Sequence, residues 1–151
     1  MKEGDGVIEQ TIETWHRCLR GELPGGLDDI LADDVVFYSP IVFTPQKGKE
    51  ITKLYLRAAG VTLGAGEIGE APSGNGGGAG SFRYKNETMS GNTAALEFEV
   101  EMDGLYVNGV DLITCNDEGR ISEFKVMIRP LKAINAMHAR MAAMLKKMQA
   151  G

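Results

Sequence analysis

Cysteine and histidine are scarce. Cys18 and Cys115 lie far apart and match no metal or redox spacing. His16 and His138 are also far apart, with no facing carboxylate at ligand spacing, so no metal site and no cofactor are expected. No apolar run approaches the length of a membrane-spanning helix, so a helical membrane protein is not expected. No block of like charge marks a membrane or polyanion patch. The formal net charge of -5 repels phosphate, which makes nucleic acid a poor partner. The first residues, Met1 to Gly6, are too polar and acidic for a secretory signal. With reduced thiols, this points to the cytoplasm. Both cysteines read as small packed residues.

What is present is an ordinary globular composition. The 151 residues are 43% hydrophobic and 25% charged, enough to bury a core in one domain covering 1–151. Ile8, Ile12, Trp15 and Leu19 recur at helical spacing and predict a first helix from about Gly6 to Arg20. Leu27 to Leu31 reads as a short second helix with Asp28 and Asp29 at its start. Val35 to Tyr38 is a short strand ended by Ser39-Pro40. A third helix is predicted over Lys49–Ala59, with Ile51, Leu54, Tyr55 and Ala58 inward. Residues 64–80 are rich in glycine and poor in large apolar side chains, the composition of a flexible surface loop. They lack the preceding strand and the following Lys-Ser or Lys-Thr pair of a phosphate loop.

From Ser81 onward the period is two. Phe82 and Tyr84 share a face; Ala94, Leu96, Phe98, Val100 and Met102 then alternate with mostly acidic neighbours. Asp103-Gly104 is a hairpin signal, Leu105 to Cys115 returns, and Arg120 to Arg129 ends the sheet with Phe124, Val126 and Ile128 on its apolar face. Pro130 opens a last helix whose expected stripe is Leu131, Ile134, His138, Met141, Leu145 and Met148. Helices followed by an antiparallel meander give a segregated α+β fold.

One residue breaks this pattern. Leu105, Val107, Gly109, Asp111, Ile113 and Cys115 share a face if Gly109 makes no bulge, and Asp111 is its one charged member. A buried carboxylate is costly, and burial raises its pKa toward the range a general acid or base needs. Asp111 is therefore the candidate catalytic residue; equally, it could accept hydrogen bonds from Trp15, His16 or a tyrosine and only order the core. Tyr38, Tyr55 and Tyr84 are candidate pocket walls or hydroxyl donors. Trp15, His16, Phe98, Phe124 and Val126 complete the expected ligand-binding set. Tyr106, Asn108, Val110 and Leu112 fall on the opposite, outer face. Lys125 and Arg129 lie on the polar face of the last strand, within reach of Glu97, Glu99 and Glu101.

Three stretches, LADDVVFYSPI, GKEITKLYL and LYVNGVDLITCNDEGRISEFKVMIRPL, resemble the nuclear-transport-factor-two-like, or SnoaL-like, superfamily over nearly the whole chain. The resemblance implies a cone: a bent antiparallel sheet and N-terminal helices closing an apolar pocket, with a C-terminal helix. It also implies a homodimer through the outer sheet face. Members include steroid isomerases, polyketide cyclases, epoxide hydrolases and dehydratases. Gly109-Val110-Asp111 is similar to the stretch where ketosteroid isomerases carry an oxyanion-hole aspartic acid and where epoxide hydrolases of this fold carry an aspartate. The isomerases' general-base aspartate falls at Ser39, and their first-helix tyrosine near Thr14 or Trp15. The hydrolases' arginine falls at Gly109 and their second aspartate at Val126. The expectation is a pocket protein for a small, largely apolar molecule. Its acid–base chemistry, as isomerase, cyclase or dehydratase, would use Asp111. The alternatives are ligand binding without chemistry, or a protein-interaction homodimer.

Overall fold

The computed structural model describes residues 6–63 and 82–150, with side chains described as far as Lys147. The glycine-rich stretch 64–80 lies outside the described residues. Ten elements follow one another: α1 (Val7–Leu19), α2 (Leu27–Ile30), β1 (Leu31–Tyr38), β2 (Gln46–Lys47), α3 (Lys49–Thr62), β3 (Arg83–Ser90), β4 (Thr93–Met102), β5 (Leu105–Cys115), β6 (Ile121–Arg129) and α4 (Leu131–Ala150). One open sheet has the order β2-β1-β6-β5-β4-β3. Its pairs are antiparallel except β1 with β6, which run parallel. The sheet is thus mixed where a wholly antiparallel one was expected. The element from Leu31 returns beside a strand from the far end of the chain, and local alternation carries no information on that pairing.

The meander has the predicted form. Asp103 and Gly104 both take positive φ, 54° and 80°, the geometry a two-residue hairpin turn demands. β5 pairs with β4 without interruption from Leu105 to Thr114, so Gly109 introduces no bulge. Its irregularity toward β6 falls at Thr114–Cys115, beyond the residue that matters. Val107, Gly109, Asp111, Ile113 and Cys115 are consequently buried on one face.

Helices cover that face. α1 buries Ile8, Ile12 and Trp15 as expected, together with Thr11 and Cys18. Cys18 and Cys115 are free and buried, and burial pushes the Cys18 thiol up to about 11, which suits packing rather than reactivity.

Two helical stripes differ from expectation. In α3, Thr52, Lys53, Leu56 and Ala58 are buried, while Ile51, Leu54 and Tyr55 are half-buried. The helix touches β1 on one side and α4 on the other, so a single stripe does not describe it. In α4, Leu131 and His138 are exposed and Ala133, Met137 and Met141 form the buried line. Small Ala133 and unbranched methionines join a cluster with Ala58, Phe98 and Val100, a fit that ranking residues by hydropathy misses.

Candidate functional site

The concave face of the sheet and helices α1, α3 and α4 enclose an apolar cavity in which about 50 Å³ is open to the centre of a water molecule. Each wall comes from an alternating or helical pattern. Phe37 of β1, Phe124 and Val126 of β6, and Phe98 of β4 are inward members of their strands. Leu56 and Leu63 come from α3 and its end, and Met137 and Met141 from α4. Trp15, Tyr84 and Asp111 supply polar atoms.

Asp111 lies in the middle of β5, opposite Leu96 on one neighbour and Val126 on the other. The hydroxyl of Tyr84 donates to its Oδ2 at 2.6 Å. The indole N–H of Trp15 donates to that same hydroxyl at 3.1 Å. An indole N–H can only donate, so Tyr84 accepts from Trp15 and turns its one proton to Asp111. Among the described residues no protein donor reaches Oδ1. Burial raises the Asp111 pKa to about 7, against the smaller, lowering effect of the Tyr84 hydrogen bond. Burial, then the neighbouring Asp111 charge, pushes the Tyr84 phenol well above its ordinary value, so it stays a donor. Near neutrality Asp111 is therefore divided between acid and base. Because Oδ2 receives the Tyr84 proton, the carboxyl's own proton belongs on Oδ1.

Of the partners open to Asp111, the structure selects a tyrosine, with Trp15 one bond further out. Trp15, Tyr84, Phe98, Phe124 and Val126 line the cavity with it. Three expected residues do not. His16, one position beyond Trp15 on α1, turns away to meet Glu87, Nε2 to Oε2 at 2.7 Å, with its ring edge-on to Tyr84. Tyr38 alternates with inward Phe37 and so falls on the outer face, where Lys125 lies over its ring at 4.9 Å. Tyr55 packs on Phe37, ring centroids 5.5 Å apart, rather than lining the cavity.

Sequence reasoning missed Phe37, Leu56, Leu63, Met137 and Met141 as walls. Strand parity beside Tyr38 would have found Phe37. Ser39 also lines the cavity, and its Oγ accepts the backbone N–H groups of Ile41 and Val42 at 3.0 and 3.2 Å. On the outer face, Glu97 is bonded through Asn108 to Arg129, while Glu99 pairs with Arg83 and Lys85. Among the described residues no group of three or more His, Cys, Asp or Glu could hold a metal ion. No described helix is long and apolar enough to cross a membrane.

No protein-family model matches the sequence, and no curated protein does. Solved structures do match. The chain is similar to a steroid delta-isomerase from Pseudomonas aeruginosa, at 26% identity over 97% of both chains and a TM-score of 0.76. It is similar to an uncharacterized protein with a cystatin-like fold from Silicibacter pomeroyi DSS-3, at 27% identity over 92% of this chain and 86% of that one, TM-score 0.71. A protein of Jannaschia sp. CCS1 named for a SnoaL-like polyketide cyclase shares the fold, at 14% identity over 91% and 97% of the two chains, TM-score 0.62. Together with the curved α+β sheet and its covering helices, these likenesses show that the chain has the cystatin-like fold that nuclear-transport-factor-two-like and SnoaL-like proteins share.

Proposed function

We propose that the protein binds a small, largely apolar molecule bearing one polar oxygen and moves a proton on it through Asp111, as an isomerase, cyclase or dehydratase. One observation carries this: a carboxyl with its pKa raised by burial to about 7 sits in an apolar cavity with one oxygen held by Tyr84 and the other, among the described residues, without a protein donor. As a carboxylate, Oδ1 can take a proton from carbon next to a carbonyl. As an acid it can return that proton, or donate to an oxygen gaining negative charge. Similarity to a steroid delta-isomerase over 97% of both chains supports proton transfer as the reaction class. A carboxylate is absent at Ser39, where the resemblance would put the isomerases' base, so one carboxyl does both tasks here.

The test is a screen of β,γ-unsaturated ketones, followed by the absorbance of the conjugated product. Turnover by wild type, lost in Asp111→Asn with binding retained, is expected. Binding without turnover in wild type would leave a ligand-binding module instead.

A second element of the proposal is a homodimer through the outer sheet face. Phe43 is 99% exposed there and Met127 48%, beside half-buried Val110 and Leu112 and charges of both signs. Sedimentation should give a dimer that Met127→Lys weakens; a wild-type monomer at high concentration would remove this element. Free, buried Cys18 and Cys115 fit a reducing cytoplasm, which fractionation of the producing cell checks.

A further inference from the structure

We infer that Phe98, seated on Gly109, fixes the size of molecule the cavity admits, and that the substrate is a compact carbonyl compound of no more than one ring. The inference rests on the Asp111 cavity being a ligand site, as proposed above.

Phe98 and Gly109 face each other across β4 and β5. A Cβ at position 109 would stand 2.4 Å from Phe98 Cζ, 2.9 Å from its Cε2 and 2.7 Å from the Met127 carbonyl oxygen. The phenyl ring therefore occupies the place of a missing side chain and rests on main chain. It cannot sink further. From the side, Phe82 stacks on it with centroids 5.2 Å apart, and Tyr84 meets it edge-on at 6.4 Å. Gly109 is two residues before Asp111 on the same face, so this ring is a rigid wall next to the reacting carboxyl. Methionine walls elsewhere can re-pack around a guest; a ring backed by main chain cannot.

The space left is small. About 50 Å³ is open to the centre of a water molecule, whereas an apolar cavity of about 150 Å³ is known to take up a benzene ring. A single ring already calls on the yielding walls. On the β4–β5 side Phe98, backed by main chain, gives no room to a second fused ring.

Binding of a ladder of ketones to the full chain tests this: butanone, cyclohexenone, a two-ring tetralone and a four-ring steroid dienone. It is measured by calorimetry for wild type, Phe98→Ala, Phe98→Leu and Gly109→Ala. Wild type should prefer the first two by roughly tenfold or more over the tetralone. Phe98→Ala should reverse that preference, and Phe98→Leu should do so if the alanine variant does not fold. Gly109→Ala should weaken every ligand, because the added methyl drives the ring into the cavity. Wild type binding tetralone or the dienone as tightly as cyclohexenone, or an unchanged order in Phe98→Leu, would overturn the size filter while leaving the ligand site standing. Failure of the whole ladder to bind wild type would overturn both.

Discussion

Asn108 and Asp111 lie three residues apart on β5, each 6% exposed, on opposite faces of the sheet. Asn108 is nearly saturated. Its amide nitrogen donates to Glu97 Oε2 at 3.1 Å and to the Phe98 carbonyl at 2.9 Å, and its oxygen accepts from Arg129 Nε at 2.8 Å. Among the described residues Asp111 accepts a single hydrogen bond from protein, although a carboxylate offers about four acceptor positions. Equal burial thus has two meanings. Where a buried polar group is fully partnered it locks the sheet; where it is held by one corner in an apolar cavity its pKa is free to shift.

The largest expected difference between the two is in pH dependence. The ordinary Asp pKa of 3.8 is raised to about 7 in the folded chain. The unfolded chain therefore releases this proton first. The stability Asp111 contributes is complete below pH 4 and is lost as pH rises through 7. At about 1.4 kcal/mol per pKa unit, roughly 4–5 kcal/mol disappears across that window. Asp111→Asn should abolish this slope and melt several degrees above wild type at pH 8. Parallel denaturation curves from pH 4 to 8 would make Asp111 as well satisfied as Asn108 and end the contrast.

Next in size, Asn108→Ala should destabilise by about 2–3 kcal/mol, or roughly 5–10 °C in a chain of this length. That loss should be the same at pH 5 and pH 8, as thermal melts at both would show. A loss that grew with pH would mean the outer network also titrates. Tyr84→Phe is expected to be milder, about 1–2 kcal/mol at pH 5. It removes the hydrogen bond that lowers the Asp111 pKa, so the fall in stability should extend to higher pH than in wild type. Carboxyl-carbon NMR of Asp111 would follow this directly. Tyr106→Phe should have the smallest effect, under about 0.5 kcal/mol, because Tyr106 is half-exposed and its hydroxyl reaches Glu99 at the surface.

Asp111 was legible in the sequence because strand parity is strict: side chains alternate, and one charged member on an apolar face is conspicuous without any structure. The β4 alternation and the Asp103-Gly104 turn were legible for the same local reason. Its partners were not. Tyr84 meets Asp111 across two strand pairings, and Trp15 reaches over from a helix; such contacts depend on register and docking. His16, one step from Trp15, shows how narrow the margin is, since about 100° around a helix separates a cavity wall from a half-buried contact with Glu87. The α4 stripe was misplaced because small Ala133 outranks exposed Leu131 for a place against α3. Parallel pairing of β1 with β6 had no sequence signal.

Tyr84 belongs to β3, which among the described residues ends the sheet and pairs only with β4, whereas Asp111 belongs to β5 and has a strand on either side. The carboxyl is thus anchored in well-connected structure while the group that tunes it hangs on the rim. Rims open before centres as a protein is warmed. Backbone amides of β3 should exchange with deuterium ahead of those of β5, and Asp111, whose raised pKa comes chiefly from burial, should become a stronger acid as the rim opens to water while the domain is still folded, so that heat alone would change its protonation.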